Sequence, residues 1–380
     1  MKTSEIDVTE LASAVRKSLR TLSVSDAHLG HRKTPTEFII ANLDRDFAPG
    51  AWWDDVDVLF FVGDLFDRGL TAYDPQLFMI TAWFRRILRT AKKHNVIVRA
   101  VEGTPLHEWG QSRWMEEANA GIGADFKWVK TLSIEHIDQL GIDVLYVPDE
   151  WKPNPDDVWK DVVRALDDAG LQQVDYTLFH ATFDHQLPDI DIPKHVSKRY
   201  QEITRRYVFS GHIHQSSRNG NILCNGSYDR ISHGEEGPKG FWDVTWNNGR
   251  DKITFVENTG AMIYKTYDCT DKSMPEILAH LKDAANLPQN SHARIKARRS
   301  DPILASMQEV KSMYPHLYWS EKTVDAKDLQ KTMLVDKRSE FRQVQLTEQN
   351  LPELLLARIS AKTTDPILLQ RCKELLAENC

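Results

Sequence analysis

Carboxylates and imidazoles recur along this chain at the ends of short apolar runs. Asp26 and His28 follow Leu22-Ser23-Val24-Ser25, and Asp64 and Asp67 follow the run from Val56 to Val62. His107 comes after Val96-Ile97-Val98-Arg99-Ala100-Val101, and His180 directly after Tyr176-Thr177-Leu178-Phe179. Last comes Gly211-His212-Ile213-His214, whose two imidazoles stand two apart and so point the same way on an extended segment. Carboxylate is a hard ligand and imidazole an intermediate one, so the mixture suits divalent manganese, iron or zinc. No cysteine joins the set, which argues against a structural zinc site. The donors exceed what one ion requires. Two ions sharing a bridging carboxylate are therefore expected, and ions about 3.5–4 Å apart serve in-line phosphoester hydrolysis. Taken singly, each Asp or His is commonplace in a turn; their joint placement after strands is what carries weight.

The elements that must position these residues are readable from periodicity. Val56 to Val62 is almost continuously apolar, as in a strand buried on both faces. Thr34-Pro35-Thr36-Glu37 opens a helix, and amphipathic helices are expected over 75–94 and 154–168, with helical composition also over 8–19. Further strands are expected at Asp143–Val147, Tyr207–Ser210, Ile222–Cys224, Phe241–Trp246 and Ile253–Glu257. Strand–helix alternation followed by shorter strands argues an α/β core with a layered sheet, and such sheets place ligands at strand C-terminal ends.

The chain has 380 residues, enough for a main domain and an accessory one. Its apolar fraction of 41% suits a globular protein, and no stretch approaches the ~20 apolar residues of a membrane span. The N-terminus lacks the apolar core of a signal peptide. Four widely spaced cysteines, Cys224, Cys269, Cys372 and Cys380, fit reduced thiols in the cytoplasm. A net charge of −7 excludes a protein that coats nucleic acid by bulk electrostatics, but not one that grips a phosphodiester with metal ions and a local basic strip.

Asp-x-His, Gly-Asp-x-x-Asp, Gly-…-His-Glu, His and Gly-His-x-His, in that order over residues 22–260, resemble the calcineurin-like metallophosphoesterase family. The resemblance implies an α/β/β/α sandwich in which Asp26, His28 and His214 bind one metal, His180 and His212 bind the other, and Asp64 bridges. It implies His107 as general acid or phosphate donor, oriented by the Asp67 carboxylate. The family usually has Gly-Asn-His-Asp/Glu, whose Asn is a ligand. Here the segment is two residues longer, and Thr104-Pro105-Leu106 replaces that Asn. The second metal then lacks this ligand, or His107 moves into it, or a hydroxyl or water substitutes.

Gly63-Asp64-Leu65-Phe66-Asp67-Arg68-Gly69 also resembles the protein phosphatases, in which the arginine grips phosphate, so a phosphomonoesterase is the first rival reading. A noncatalytic scaffold that keeps the fold is the second. Asn225-Gly226-Ser227-Tyr228-Asp229-Arg230, then Glu235-Glu236 and Lys239-Gly240-Phe241, resemble the SbcD-type DNA repair nucleases, and the extended Gly-Thr-Pro loop resembles phage-encoded relatives. That resemblance implies a two-metal DNA nuclease, manganese first and magnesium, iron or zinc as alternatives, with duplex exonuclease and single-strand endonuclease activity. It implies a homodimer in the cytoplasm, or the host cytoplasm for a phage-encoded chain.

Beyond the nuclease domain (1–260), strands at Ala261–Tyr267 and His292–Ala297 with helices at Met274–Ala285 and Pro302–Met313 resemble a small α+β capping domain, 261–340. Lys296, Arg298 and Arg299 form one basic strip, and Lys198, Arg199, Arg205 and Arg206 another; both are candidates for contacts to the DNA backbone. Leucines at helical spacing in 348–359 and 365–376 resemble a C-terminal helical segment, 341–380, that docks on an SMC-like ATPase.

Overall fold

The computed structural model describes residues 18–47, 53–187 and 190–324, with isolated positions at 356, 359–360, 365 and 368–371. The helix expected over 8–19 and the C-terminal helical pair fall outside these residues, apart from those isolated positions, Ser18, and Leu19, which opens the first strand. The chain divides into two compact units, residues 1–151 with 155–329, and residues 152–154 with 330–380. The first contains every element below.

In chain order the strands are β1 (Leu19–Val24), β2 (Val58–Val62), β3 (Ile97–Val101), β4 (Phe126–Val129), β5 (Ser133–Ile137), β6 (Ile142–Val147), β7 (Val174–His180) and β8 (Thr204–Gly211). They continue as β9 (Ser217–Asn219), β10 (Ile222–Cys224), β11 (Gly240–Trp246), β12 (Lys252–Glu257), β13 (Tyr264–Asp268), β14 (His292–Ala297) and β15 (Tyr318–Thr323). The helices are α1 (Thr36–Asp46), α2 (Pro75–His94), α3 (Trp114–Asn119), α4 (Pro155–Ala169), α5 (Ser197–Ile203), α6 (Met274–His280), α7 (Pro302–Ala305) and α8 (Met307–Met313).

Two six-stranded sheets lie face to face, ordered β12-β11-β1-β2-β3-β4 and β5-β6-β7-β8-β10-β9. The first is parallel from β1 to β4, and the second from β6 through β7 and β8 to β10. The layering explains the apolar run of β2, because side chains alternate between faces along a strand. Val58, Phe60 and Val62 point into the core between the sheets, against Tyr176, Leu178 and Phe209. Leu59 and Phe61 point the other way, into the core beneath α1 and α2. Both faces need apolar groups.

On the outer face of the first sheet, α2 buries Ile80, Trp83, Phe84, Ile87, Leu88 and Ala91, a stripe at three- and four-residue spacing. Its first turn is fixed by Pro75 and by Asp74, which accepts from the Gln76 N–H at 3.0 Å; its last turn ends at left-handed Asn95. On the far face of the second sheet, Val158, Val162 and Leu166 of α4 and Tyr200 of α5 cover Phe179 and Val208. The result is the expected α/β/β/α sandwich.

A third, all-parallel sheet, β13-β14-β15, carries α6 and then α7–α8 in its crossovers and has its own core around Ile277, Ile295, Ile303 and Val310. Several boundaries differ from the sequence reading. The first strand of this sheet starts at Tyr264, because the Ala261 N–H turns back to the Asn258 carbonyl. The helix expected over Pro302–Met313 breaks at Ser306. Strands β4, β5, β9 and β15 are not among those the sequence suggests; they are short or half-exposed, with no continuous apolar run.

Candidate metal centre

The loops after β1, β2, β3, β7 and β8 meet at one edge of the sandwich. Among the described residues, three groups bring ligand atoms within 4.8 Å of one another: Asp26, His28 and His214; His28, Asp64 and His107; and Asp64, His180 and His212. Asp64 belongs to two of them. The backbone is bent to achieve this: Asp26 (φ 50°), His28 (φ 50°), Asp64 (φ 51°) and His212 (φ 78°) all occupy the left-handed region. Non-glycine residues avoid that region unless their surroundings hold them there, and clustering at one site is a mark of function. Two glycines allow the close approach. A Cβ on Gly63 would run into the His180 ring, and one on Gly103 into the Asp64 backbone nitrogen.

In the first cluster, Asp26 is fully buried, receives the Ser25 hydroxyl, and accepts the His212 N–H at 3.1 and 3.0 Å. The Nε2 atoms of His28 and His214 face each other at 3.0 Å. Their Nδ1 atoms each face a carboxylate, Asp67 Oδ1 at 3.3 Å from His28 and Glu235 Oε1 at 3.0 Å from His214. Imidazoles oriented this way direct their remaining nitrogens at a common point, as metal-ligating histidines do. Burial works against the charged form of His214, but the Glu235 hydrogen bond and the Asp26 charge raise its pKa. Glu235, although buried, is held well below the usual carboxylate range by His214 and Lys239.

In the second cluster, His180 donates from Nδ1 to the Val62 carbonyl at 2.8 Å, a bond that ties the two sheets together. Its Nε2 lies 3.3 Å from Asp64 Oδ2. Burial opposes both charges, yet the pair sustains them, lowering Asp64 strongly and pushing His180 up to about 10. Thr104 donates its backbone N–H to Asp64 Oδ1 at 2.6 Å, and its hydroxyl is 3.2 Å from Asp64 Oδ2. Behind both loops, buried Glu108 accepts the Leu65 and Gly103 N–H groups at 2.5 Å each. Burial and the charges of Glu102 and Asp64 push its pKa up to about 8.

At three places the structure adds detail to the expected contacts. The Asp67 carboxylate does not orient His107: His107 Nδ1 donates to the Asp67 backbone carbonyl at 2.7 Å, and the carboxylate faces His28. Arg68 is engaged within its own loop. Its guanidinium staples its own loop, donating to the Gly30 carbonyl at 3.0 Å and pairing with Asp74 at 3.0 Å. The basic strips are largely neutralised. Lys296 pairs with Asp268 at 2.7 Å, Arg298 with Asp271 at 2.9 Å, and Arg199 with Asp156 at 2.6 Å. Lys198 lies 3.7 Å from Glu202, and Arg299 also has a partner. Arg205 and Arg206 share Asp175, at 3.0 and 3.2 Å, and the Arg206 guanidinium lies 3.9 Å over Trp246. Both stand at the start of β8, seven and six residues before His212 and hence about 20 Å from the cluster along the strand.

The sequence reading named Glu235 and Lys239 only as parts of a motif. Their roles, as the carboxylate on His214 and the buried cation beside it, depend on a loop whose path has no periodic signature.

No family model and no curated protein matches the chain. Solved structures with a similar fold include the Thermus thermophilus protein TT1561, at 12% identity and a TM-score of 0.38, covering 63% of this chain and 99% of that one. A second is the Pseudomonas putida nuclease MPE, at 16% identity and a TM-score of 0.25, covering 62% of this chain and 87% of that one. Both likenesses are distant. Fold and site together define a layered α/β protein whose buried Asp/His groups can hold divalent metal ions.

Proposed function

We propose that this chain is a two-metal phosphodiesterase that hydrolyses DNA, of the SbcD type suggested by its motifs, with manganese as the preferred ion. The observation that carries the reading is the sharing of Asp64 between the donor group of His28 and His107 and that of His180 and His212. A carboxylate with a donor group on each side is what a pair of neighbouring cations requires. When bound, such ions neutralise phosphoryl oxygens and lower the pKa of water. Asp26, His28 and His214 would hold one, His180 and His212 the other, and Asp64 would serve both.

The remaining work falls to the protein. His107 is fixed by its Nδ1–H···O bond to the Asp67 carbonyl, so only Nε2 is left to exchange a proton. As imidazolium it donates from Nε2 to the leaving oxygen. Glu235 holds the His214 ring by a hydrogen bond and the Asp67 carboxylate lies 3.3 Å from His28 Nδ1, so that Nε2 of each ring faces the cluster. Arg32 and Lys33 follow His28 by four and five residues on an exposed loop, and are better placed than the predicted strips to meet the DNA backbone. The Lys33 carbonyl lies 3.2 Å from His292 Nε2, and the Thr34 hydroxyl 2.9 Å from the Tyr264 hydroxyl, so this loop is continuous with the third sheet. That sheet serves in this reading as the capping domain. The C-terminal segment docking on an SMC-like ATPase, a homodimer and a cytoplasmic setting complete the proposal.

The test is digestion of end-labelled linear duplex DNA in manganese or magnesium, alongside a small chromogenic phosphate monoester. The reading predicts manganese-dependent loss of the duplex, little turnover of the monoester, and abolition by Asp64→Ala or His214→Ala. Preference for the monoester would return the assignment to the phosphatases. Activity that survives both substitutions would remove the metal assignment.

A further inference from the structure

The second donor group is not complete with three side chains. Asp64 Oδ2, His180 Nε2 and His212 Nδ1 surround a fourth atom, the Thr104 hydroxyl, which lies 3.2 Å from Asp64 Oδ2, 3.4 Å from His180 Nε2 and 3.2 Å from His212 Nδ1. Thr104 is 5% exposed, and its backbone N–H is spent on Asp64 Oδ1. The hydroxyl can donate to Asp64 Oδ2 and turn its lone pairs toward the two imidazoles, so its oxygen sits within reach of all three groups. As a coordination shell it is ordinary: one carboxylate, two imidazoles and one neutral oxygen, four donors around one point.

We infer that Thr104 Oγ1 is the fourth protein ligand of the Asp64–His180–His212 position, and that His107 is not a ligand there. His107 belongs to the other side: its ring packs edge-on against His28, with centroids 5.0 Å apart, and its Nδ1 is anchored on Asp67. The extended Gly103–His107 segment explains the separation. The Thr104 carbonyl accepts the N–H groups of His107 at 2.8 Å and Glu108 at 3.0 Å, so a tight turn places Thr104 on the ligand side and lifts His107 away. An alcohol is a neutral and weak donor, so this ion binds less tightly than its neighbour, and a hard cation is favoured over a soft one.

The inference rests on the two-metal reading, and the experiment separates the two. Cobalt(II) is titrated into wild type, Thr104→Val and Thr104→Cys, following stoichiometry by calorimetry and coordination by absorption, with a thermal melt of each metal-free protein. Wild type takes up two ions, the second more weakly. Thr104→Val, matched in shape, keeps the first and weakens the second by about tenfold or more. Thr104→Cys puts sulfur where oxygen was and gives a sulfur-to-cobalt charge-transfer band that grows only with the second equivalent. That band distinguishes a ligand from a residue that merely positions Asp64, and it does not depend on the valine variant folding. A cysteine variant that binds two ions without the band, or a folded valine variant with unchanged second-site affinity, overturns the inference. Wild-type uptake of fewer than two ions overturns the two-metal reading and this assignment with it.

Discussion

Glu235 offers the sharpest energetic test of how the site is supported. Its Oε1 accepts from His214 Nδ1 at 3.0 Å, and its Oε2 lies 3.2 Å from the Nζ of Lys239. Lys239 is 2% exposed, and its other partners are neutral, the His214 carbonyl at 2.8 Å and the Ser227 hydroxyl at 2.7 Å. Glu235→Ala therefore strands a buried ammonium, and breaking a buried pair from one side costs about 3–5 kcal/mol. Lys239→Met should cost less, about 1–3 kcal/mol, because the carboxylate left behind keeps His214, Ser232 and the Ile231 N–H. In the double variant no charge is stranded, so its destabilisation should fall short of the sum by about 2 kcal/mol. Urea unfolding of the four metal-free proteins measures this. The same Glu235→Ala change should weaken manganese binding by about 10–100-fold, because the His214 ring loses its orienting acceptor. Additivity within about 0.5 kcal/mol, or wild-type affinity for manganese, would refute the linkage.

Other consequences lie further from the centre. His195, 8% exposed and packed against Phe179 and Tyr200, is pushed down to about 4 by burial and by the nearby Arg199 charge. A depressed histidine favours the neutral form in the folded chain, so its contribution is complete above about pH 6.5 and is lost progressively as pH falls toward 4, by about 3 kcal/mol in all. His195→Gln should flatten the stability–pH curve in that window; parallel curves for variant and wild type would contradict it. Arg205→Ala and Arg206→Ala should change duplex DNA affinity less than about twofold and leave its salt dependence unaltered, whereas loss of a true phosphate contact lowers the slope by about one. Binding isotherms at several salt concentrations decide this, and a reduced slope would restore these arginines to the DNA surface.

Much of the fold and most of the candidate cluster were legible because each rests on short-range pattern. β2 must be apolar throughout, since alternate residues enter different cores, and α2 carries its buried stripe at helical spacing between a Pro and an Asn that fix its ends. Asp26, His28, Asp64, His212 and His214 each follow a strand and His180 ends one, so placing the strands placed them together. What stayed hidden was set by long-range pairing. Whether Arg206 is a free cation or a half-buried partner of Asp175 depends on β7 lying beside β8. Arg68 has one near partner, Asp74, and one distant one, the Gly30 carbonyl, and the second depends on how the loops after β1 and β2 meet. Asp67 does meet His107, but through its backbone carbonyl, while its carboxylate faces His28, a detail of rotamer and turn that residue type does not encode. Half-exposed β4 and β5 have weak patterns and gain order from neighbours that sequence inspection cannot align.

Crystals grown in manganese, with diffraction recorded on either side of the manganese absorption edge, address the central claim directly. The account predicts two anomalous peaks flanking the Asp64 carboxylate, one beside His28 and His214 and the other beside His180 and His212. A single peak, or none in that cluster, would contradict it.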